Sequence, residues 1–159
     1  MIGSISVIPV GIVLSSVATP VDDIWGGLVS RIDLDTSRFT PDSLAGLDAF
    51  SHVEIIFAFH QVPESKIETT ARHPRNRTDW PKVGIFAQRG KNRPNRIGVT
   101  ICKLKSVDGT SLSVEGLDAI DGTPVLDIKP YMREFAPREE TRQPAWSTEL
   151  MAAYWNSAG

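Results

Sequence analysis

Short segments rich in β-branched and aromatic residues follow one another along this chain, and Gly or Pro bounds most of them. Ile5–Leu14 and Leu28–Leu34 each fit a half-buried strand. His52–Phe59 is so continuously apolar that it predicts a central strand buried on both faces. Two further candidates, Val83–Ala87 and Ile97–Val107, flank a basic segment. Helical stretches of about 10–15 residues, which would alternate with parallel strands, do not separate these segments, so the sequence predicts antiparallel pairing.

Two Asp-Gly dipeptides mark turns between the later strands. Asp108-Gly109 tolerates the positive φ angles of a type I′ turn, so Thr110–Leu117 is predicted to return as a hairpin partner. Asp121-Gly122 predicts a second turn of this kind before the strand Val125–Ile128. The predicted fold class is therefore mainly β, a small antiparallel β-barrel rather than a parallel sheet.

Helical signals are confined to two short segments. Pro41–Leu47 can form one or two turns. Ser147–Trp155 places two apolar and two aromatic residues at helical spacing, which is more typical of packing than of a binding site. These four residues are Leu150, Met151, Tyr154 and Trp155. We expect a few short helices, including one near the C-terminus.

Composition indicates one globular domain over residues 1–159, because 41% of the residues are hydrophobic and 23% are charged. There is no apolar run of about 18 residues, so no membrane span is expected. Ile2–Leu14 starts without a basic region and contains Pro9 and Gly11, which is typical of a mature strand rather than a signal peptide. We therefore expect a cytoplasmic protein.

Metal and cysteine chemistry find little support. Cys102 is the only cysteine, so no disulfide framework can form, and its apolar neighbours predict a buried strand thiol. The histidines His52, His60 and His73 lack the spacing and acidic companions of a zinc helix. We expect no bound metal.

The segment from Lys66 to Arg96 is strongly basic. It holds nine of the chain's 17 Lys and Arg against Glu68 and Asp79, so it carries +7 while the remainder carries −9, giving the net charge of −2. Such an asymmetry suits a phosphate-bearing partner, although a basic loop can also serve only to stay solvated. The candidate nucleic-acid contacts are Arg72, Arg75, Arg77, Lys91, Arg93 and Arg96.

Familiar nucleotide and hydrolase motifs do not occur. There is no Gly-Lys-Ser/Thr phosphate loop and no G-x-S-x-G elbow, and Gly26-Gly27 lacks the third glycine of a dinucleotide fold. Polar residues instead follow predicted strands, namely His60-Gln61, Arg89 and the turn Leu117–Thr123. Strand ends are where rigid scaffolds present ligand-binding groups.

Three motifs resemble those of the TsaA-like family, which includes the TrmO tRNA methyltransferases and VirR-like members. The motifs are SHVEIIFAFHQ (Ser51–Gln61), VGIFAQRGKNRPNRIG (Val83–Gly98) and LDAIDGTPVLDIKPY (Leu117–Tyr131). The resemblance implies a β-barrel homodimer that binds S-adenosylmethionine near the subunit interface. It also implies methylation of the N6 group of a modified adenosine beside the tRNA anticodon. Longer members carry a further C-terminal domain, for which we expect no counterpart in a chain ending at Gly159.

The resemblance implies a set of cofactor contacts in the N-terminal loop, at two strand ends, on one strand and in the second Asp-Gly turn. They fall on Asp23, Ile24, Trp25, Gly26, His60, Gln61, Arg89, Ile101, Leu117, Asp118, Ala119, Ile120, Asp121, Gly122 and Thr123.

Chemical roles can be attached to several of these positions. Asp118 and Asp121 are candidates for ribose hydroxyls or the positive sulfonium, or each is simply a turn residue. Arg89 could clamp the methionine carboxylate, or form a surface ion pair. His60 and Gln61 fit an adenine edge, although His60 could also be a core histidine. The candidate catalytic residues are Asp118, as proton acceptor, and Asn95, which could orient the acceptor base.

Three functions remain open. The first is an S-adenosylmethionine-dependent tRNA methyltransferase. The second is a methyltransferase of a small-molecule acceptor, which would bind the donor but ignore RNA. The third is a non-catalytic module that binds S-adenosylmethionine or an anionic partner.

Overall fold

A sheet of six antiparallel strands closes into a barrel in the computed structural model, which describes residues 1–158. The barrel strands are β1 Gly11–Leu14, β2 Val29–Leu34, β3 His52–Ala58, β6 Ile97–Asp108, β7 Ser111–Glu115 and β8 Pro124–Pro130. Their order around the barrel is β1-β2-β7-β6-β3-β8, and β8 pairs with β1 to close it. A separate small sheet pairs β4 (Ala71–Arg72) with β5 (Val83–Gly84). The predicted fold class, a mainly β antiparallel barrel, is confirmed.

The barrel interior is the hydrophobic core. Along β3, Val53, Ile55 and Phe57 are buried, and the residues between them are only half-buried. The prediction that this strand is buried on both faces was wrong, because a closed barrel has one inward face and leaves the other outside. The remaining strands add inward residues from the same alternation, including Val13, Ile32, Cys102, Leu112, Val114 and Val125.

The predicted hairpin between β6 and β7 is confirmed, with its turn shifted by one residue. Asp108 pairs with Ser111, so the two loop residues are Gly109 and Thr110. Gly109 has a φ of 60°, whereas Thr110 does not have a positive φ. One positive φ at the first loop position is the pattern of a type II′ turn, so the expected type I′ was wrong.

Two predicted strands are shorter in the structure. The strand expected from Ile5 begins at Gly11, and the side chain of Ile5 is 92% exposed. Pro9 explains the boundary, because proline has no N–H to donate to the neighbouring strand. The first bond to β8 therefore comes from the N–H of Val10, which donates to the carbonyl of Val125 at 2.7 Å. The strand expected over Val83–Ala87 is β5 followed by a 3-10 turn, Ile85–Ala87, and it lies outside the barrel.

Helices are short, as expected. The predicted Pro41–Leu47 helix is divided into two 3-10 turns by Gly46, whose φ is 82°. Helix α1 spans Ala145–Leu150, and turns continue it to Trp155. The 3-10 segments are Pro41–Leu44, Leu47–Ala49, Glu64–Lys66, Pro74–Asn76, Ile85–Ala87 and Arg133–Phe135. Within residues 1–158, no helix combines the length and the apolar character that crossing a membrane would require.

Gly98 on β6 leaves room for two aromatic rings. A Cβ atom at this position would lie 2.5 Å from Cζ of Phe57 and 2.9 Å from Cζ of Phe59. These rings meet edge to face with centroids 5.3 Å apart, so neither can move without disturbing the other. The glycine is therefore required by packing at the point where β3 ends.

We predict that Gly98→Ala lowers the free energy of unfolding by about 1–3 kcal/mol, because overpacking forces the two rings out of their positions. Urea denaturation measures the change. Gly84→Ala is the matched control, since a Cβ there meets nothing within 4 Å. Equal stability of Gly98→Ala and the parent protein would contradict this packing role.

Candidate functional site

A recess opens at one mouth of the barrel, where β3 ends and the turn before β8 begins. Its volume is about 400 Å³, including the open mouth. Its walls come from the N-terminal loop before β2, from the end of β3, from the basic segment and from the turn before β8. The lining residues are Pro20, Val21, Trp25, Phe57, Phe59, His60, Gln61, Val62, Lys91, Asp118, Ala119, Ile120 and Thr123.

The recess brings together residues that were predicted from separate parts of the sequence. From the expected cofactor contacts it collects Trp25, the His60-Gln61 pair and four residues of the Leu117–Thr123 turn. It also includes Lys91, from the basic segment. The N-terminal loop, the end of β3 and the turn before β8 therefore meet in one place, and Lys91 brings the basic segment to it.

The walls of the recess are largely aromatic and apolar. Trp25 is only 3% exposed, and the Phe57 and Phe59 rings form the adjoining wall. Polar groups are few and lie among these rings, with a carboxylate from Asp118 and a cation from Lys91. An apolar recess with a few convergent polar groups is the usual form of a site for a small organic ligand or cofactor.

Asp118 is held by hydroxyl groups on both of its carboxylate oxygens. Thr100 on β6 donates to Oδ1, and the phenol of Tyr154 donates to Oδ2. Burial raises the pKa of Tyr154 well above its usual range, and the negative charge of Asp118 raises it further. The phenol therefore stays protonated and remains a donor.

Tyr154 is the site residue that sequence reasoning missed. It was interpreted as part of a packing stripe, yet its hydroxyl bonds a residue 36 positions away. Helical spacing does not carry information on so distant a contact, so no signal in the sequence could have identified it.

Cys102 lies next to this network as a buried thiol. It is 1% exposed, and burial raises its pKa to about 12, with a smaller contribution from the charge of Asp118. The thiolate that nucleophilic chemistry requires is therefore disfavoured. The predicted buried strand thiol is confirmed.

Several expected cofactor contacts have other partners in the chain. Asp23 accepts two hydrogen bonds from Arg75, at 2.9 and 2.8 Å. Asp121 accepts one at 2.9 Å from the N–H of Ser15, so it fastens the turn to the end of β1. Arg89 donates to the carbonyl of Val99 at 2.8 Å.

The other expected contacts outside the lining are apolar residues or glycines. Leu117 belongs to the core, and Ile101 is 49% exposed on the barrel. Ile24 has a φ of 72°, and both Ile24 and Gly26 contact the C-terminal segment. A Cβ on Gly122 would lie 3.8 Å from Nε2 of His60, so this glycine is adjacent to the recess.

Most of the predicted nucleic-acid contacts make bonds inside the chain. Arg77 pairs with Asp79 and lies over the Trp80 ring, 4.0 Å from its centroid. Arg93 donates to the carbonyl of Gln88 at 2.7 Å, and Arg96 to that of Val62 at 2.8 Å. Arg75 pairs with Asp23, as described above. The bonds of Arg93 and Arg96 to carbonyls leave their positive charges uncompensated, whereas Asp23 and Asp79 offset the charges of Arg75 and Arg77.

The remaining basic and catalytic candidates differ in their surroundings. Among residues 1–158, Nε of Arg72 is buried and has no hydrogen-bond partner. Lys91 lines the recess. Asn95 is exposed on the loop before β6 and does not line the recess. Residues 1–158 contain no group of three or more His, Cys, Asp or Glu that could hold a metal ion.

Comparison with known proteins gives consistent matches. A human protein named "tRNA (adenine(37)-N6)-methyltransferase" is 42% identical over 102 residues, which is 64% of this chain and 23% of that protein. A Methanothermobacter thermautotrophicus protein named "Probable S-adenosyl-L-methionine-binding protein" is 34% identical over 128 residues, covering 79% of this chain and 89% of that protein. The chain thus spans about a quarter of the human relative's length.

A solved structure, the crystal structure of TrmO from Pseudomonas aeruginosa, superimposes with a TM-score of 0.73 at 28% sequence identity. The superposition covers 92% of this chain and 63% of that one. The family model for the tRNA-methyltransferase O N-terminal domain matches residues 18–136, which include every wall of the recess. The chain belongs to the tRNA-methyltransferase O N-terminal domain family.

Proposed function

We propose that the protein is an S-adenosylmethionine-dependent methyltransferase acting on the N6 group of a modified adenosine beside the tRNA anticodon. The observation that carries this proposal is the recess, where the three family motifs meet around Asp118 and Trp25. The names of the relatives described above support the same donor and the same acceptor.

The residues of the recess fit the donor by their chemistry. The rings of Trp25, Phe57 and Phe59 offer apolar faces to an adenine, and His60 and Gln61 offer polar atoms for its edge. A carboxylate has several acceptor positions, so Asp118 can accept ribose hydroxyls while keeping its bonds to Thr100 and Tyr154. Its negative charge also complements a sulfonium.

The bound donor supplies an electrophilic methyl group, so the protein is left with alignment, exclusion of water and removal of a proton. Within the recess, Asp118 is the carboxylate available to take that proton from the exocyclic amine. Asn95 is exposed outside the recess, where its amide would orient the acceptor base as it enters. Both roles are parts of the proposal.

Lys91 supports an RNA acceptor. It lies in the recess and also belongs to the segment that carries +7, so a phosphate backbone bound along that segment would lead a base to the pocket. Arg72, Arg93 and Arg96 would supply the remaining positive field, and Arg75 and Arg77 would contribute if a phosphate replaced their present carboxylate partners. We also propose a cytoplasmic location, where a tRNA acceptor would be available.

The internal bonds of the arginines favour the two alternative functions. Arg75, Arg77, Arg93 and Arg96 each donate to a carboxylate or a carbonyl of the chain. If these bonds are the main role of the segment, the acceptor would be a small molecule, or the site would bind the donor without catalysis.

We further propose a homodimer, which Ile101 supports. On β6, Thr100 faces Asp118 and the barrel interior, so the neighbouring Ile101 faces outward. If Ile101 contacts the donor, as the family resemblance implies, that donor would lie in the recess of another copy. Ile97 shares this face and is 44% exposed, which extends the apolar surface available for pairing.

Donor binding gives the first prediction for this function. We expect calorimetry to detect S-adenosylmethionine binding, and Asp118→Asn to weaken it by at least about tenfold, since a charged acceptor is lost. Asp108→Asn, at the exposed hairpin tip, is the matched control and should bind as the parent does. Equal affinity of both variants would remove Asp118 from the site.

Methyl transfer gives the second prediction. Radiolabel from the donor should pass to tRNA that bears the modified adenosine, and the KM for tRNA should rise steeply with salt. At a fixed salt concentration, Lys91→Ala should have a higher KM for tRNA than the parent. Lys105→Ala, which removes a cation paired with Glu115 on the β6–β7 hairpin, should have the same KM as the parent. Donor binding without transfer to any tRNA would favour the alternative functions.

Oligomeric state gives the third prediction. Light scattering after size exclusion should report a dimer, and Ile101→Glu should shift it toward monomer because a charge would enter an apolar contact. Ile2→Glu serves as control, since Ile2 is 98% exposed and precedes the barrel. A monomeric parent protein would rule the dimer out.

A further inference from the structure

The segment of residues 151–157, here named the C-terminal strap, lies along the N-terminal loop that forms one wall of the recess. Three carbonyl groups of the strap accept hydrogen bonds from consecutive N–H groups of that loop, and Gly26 bridges to Ser157 as in a short parallel ladder. The three bonds run from Ile24 to Ala153 (3.4 Å), from Trp25 to Tyr154 (2.9 Å) and from Gly26 to Asn156 (3.2 Å).

Tyr154 connects this wall to a second one. Its carbonyl holds the N–H of Trp25, and its phenol donates to Asp118 on the turn before β8. Trp25 and Asp118 both line the recess, whereas Tyr154 does not. A single residue outside the pocket therefore bonds two residues inside it.

The strap fits closely against the loop. A Cβ atom on Gly26 would lie 1.8 Å from the carbonyl oxygen of Trp155, so any side chain at this position would displace the strap. Helix α1 is anchored independently, because Nε1 of Trp80 donates to Glu149 at 2.8 Å. The strap is thus held at both of its ends, by the helix before it and by the loop beneath it.

We propose that Tyr154 is a positioning residue of the donor site: it fixes the Asp118 carboxylate and the Trp25 wall in the arrangement that binds the donor. This inference rests on the proposed function. A carboxylate whose two oxygens are already bonded loses less freedom when a ligand binds, and a wall fixed in advance does not need to be ordered by the ligand. Both effects raise donor affinity without a contact between Tyr154 and the donor.

The variant Tyr154→Phe tests the inference, because it removes the hydroxyl and keeps the ring. We expect the Kd and the KM for S-adenosylmethionine to rise about tenfold, because the Asp118 carboxylate loses one of its two hydroxyl donors. Tyr131→Phe, at the chain's other tyrosine, is the matched control and should leave the KM unchanged. A purely structural role would lower the Tm of Tyr154→Phe and leave the donor Kd of the folded protein unaltered, which would overturn the inference.

A second pair of variants tests the strap through its backbone. Gly26→Ala should displace the strap and weaken donor binding by at least about tenfold, as the loss of ordered walls requires. Gly84→Ala adds the same methyl group where a Cβ meets nothing, and should bind as the parent does. Unchanged donor affinity in folded Gly26→Ala would also overturn the inference.

The parent protein is measured first, which separates the two hypotheses. If it retains no donor, the proposed function and the inference fall together. If it binds the donor and the Tyr154→Phe and Gly26→Ala variants bind equally well, only the inference falls.

Thr100→Ser should bind as the parent and Thr100→Val should bind more weakly, since serine keeps the second hydroxyl donor to Asp118.

Discussion

Closure of the barrel by β8 is the constraint on which the site depends. This strand pairs with β1 on one side and with β3 on the other, so the sheet has no free edge. The turn before β8 carries Asp118, and the residues after β3 are His60 and Gln61. Antiparallel pairing of the two strands brings these groups to the same mouth of the barrel. Closure against β1 adds the N-terminal loop to the same mouth, because the N–H of Ser15 at the end of β1 donates to Asp121 and Trp25 lines the recess.

The long connection between β3 and β6 is stabilised by its own cations. Little of it is regular structure, so many of its carbonyl groups lack a ladder partner. Arg93 and Arg96 donate to two of these carbonyls, and Arg89 donates to one on β6. A guanidinium has several donors and keeps its charge while it uses one of them. Structural bonding and attraction of an anionic partner are therefore compatible in the same residues.

The sequence predicted features that depend on neighbouring residues. The strand near His52–Phe59, the β6–β7 hairpin and the polar residues at strand ends all follow from local pattern and turn chemistry. The bond from Tyr154 to Asp118 and that from Arg75 to Asp23 join residues 36 and 52 positions apart, so periodicity could not reveal them. The same limit explains Val83–Ala87, whose apolar character predicted a barrel strand although its partner is Ala71–Arg72.

Asp118 carries a negative charge and lies in a recess with largely apolar walls. A charge in such surroundings is costly unless it is hydrogen-bonded. Thr100 and Tyr154 meet that requirement from within the protein, which lets the carboxylate remain beside Trp25 and the Phe57 ring. A donor with a positive centre would then meet a negative charge that needs no reorganisation. Because Tyr154 comes from the C-terminal strap, the electrostatics of the recess depend on residues beyond the barrel itself.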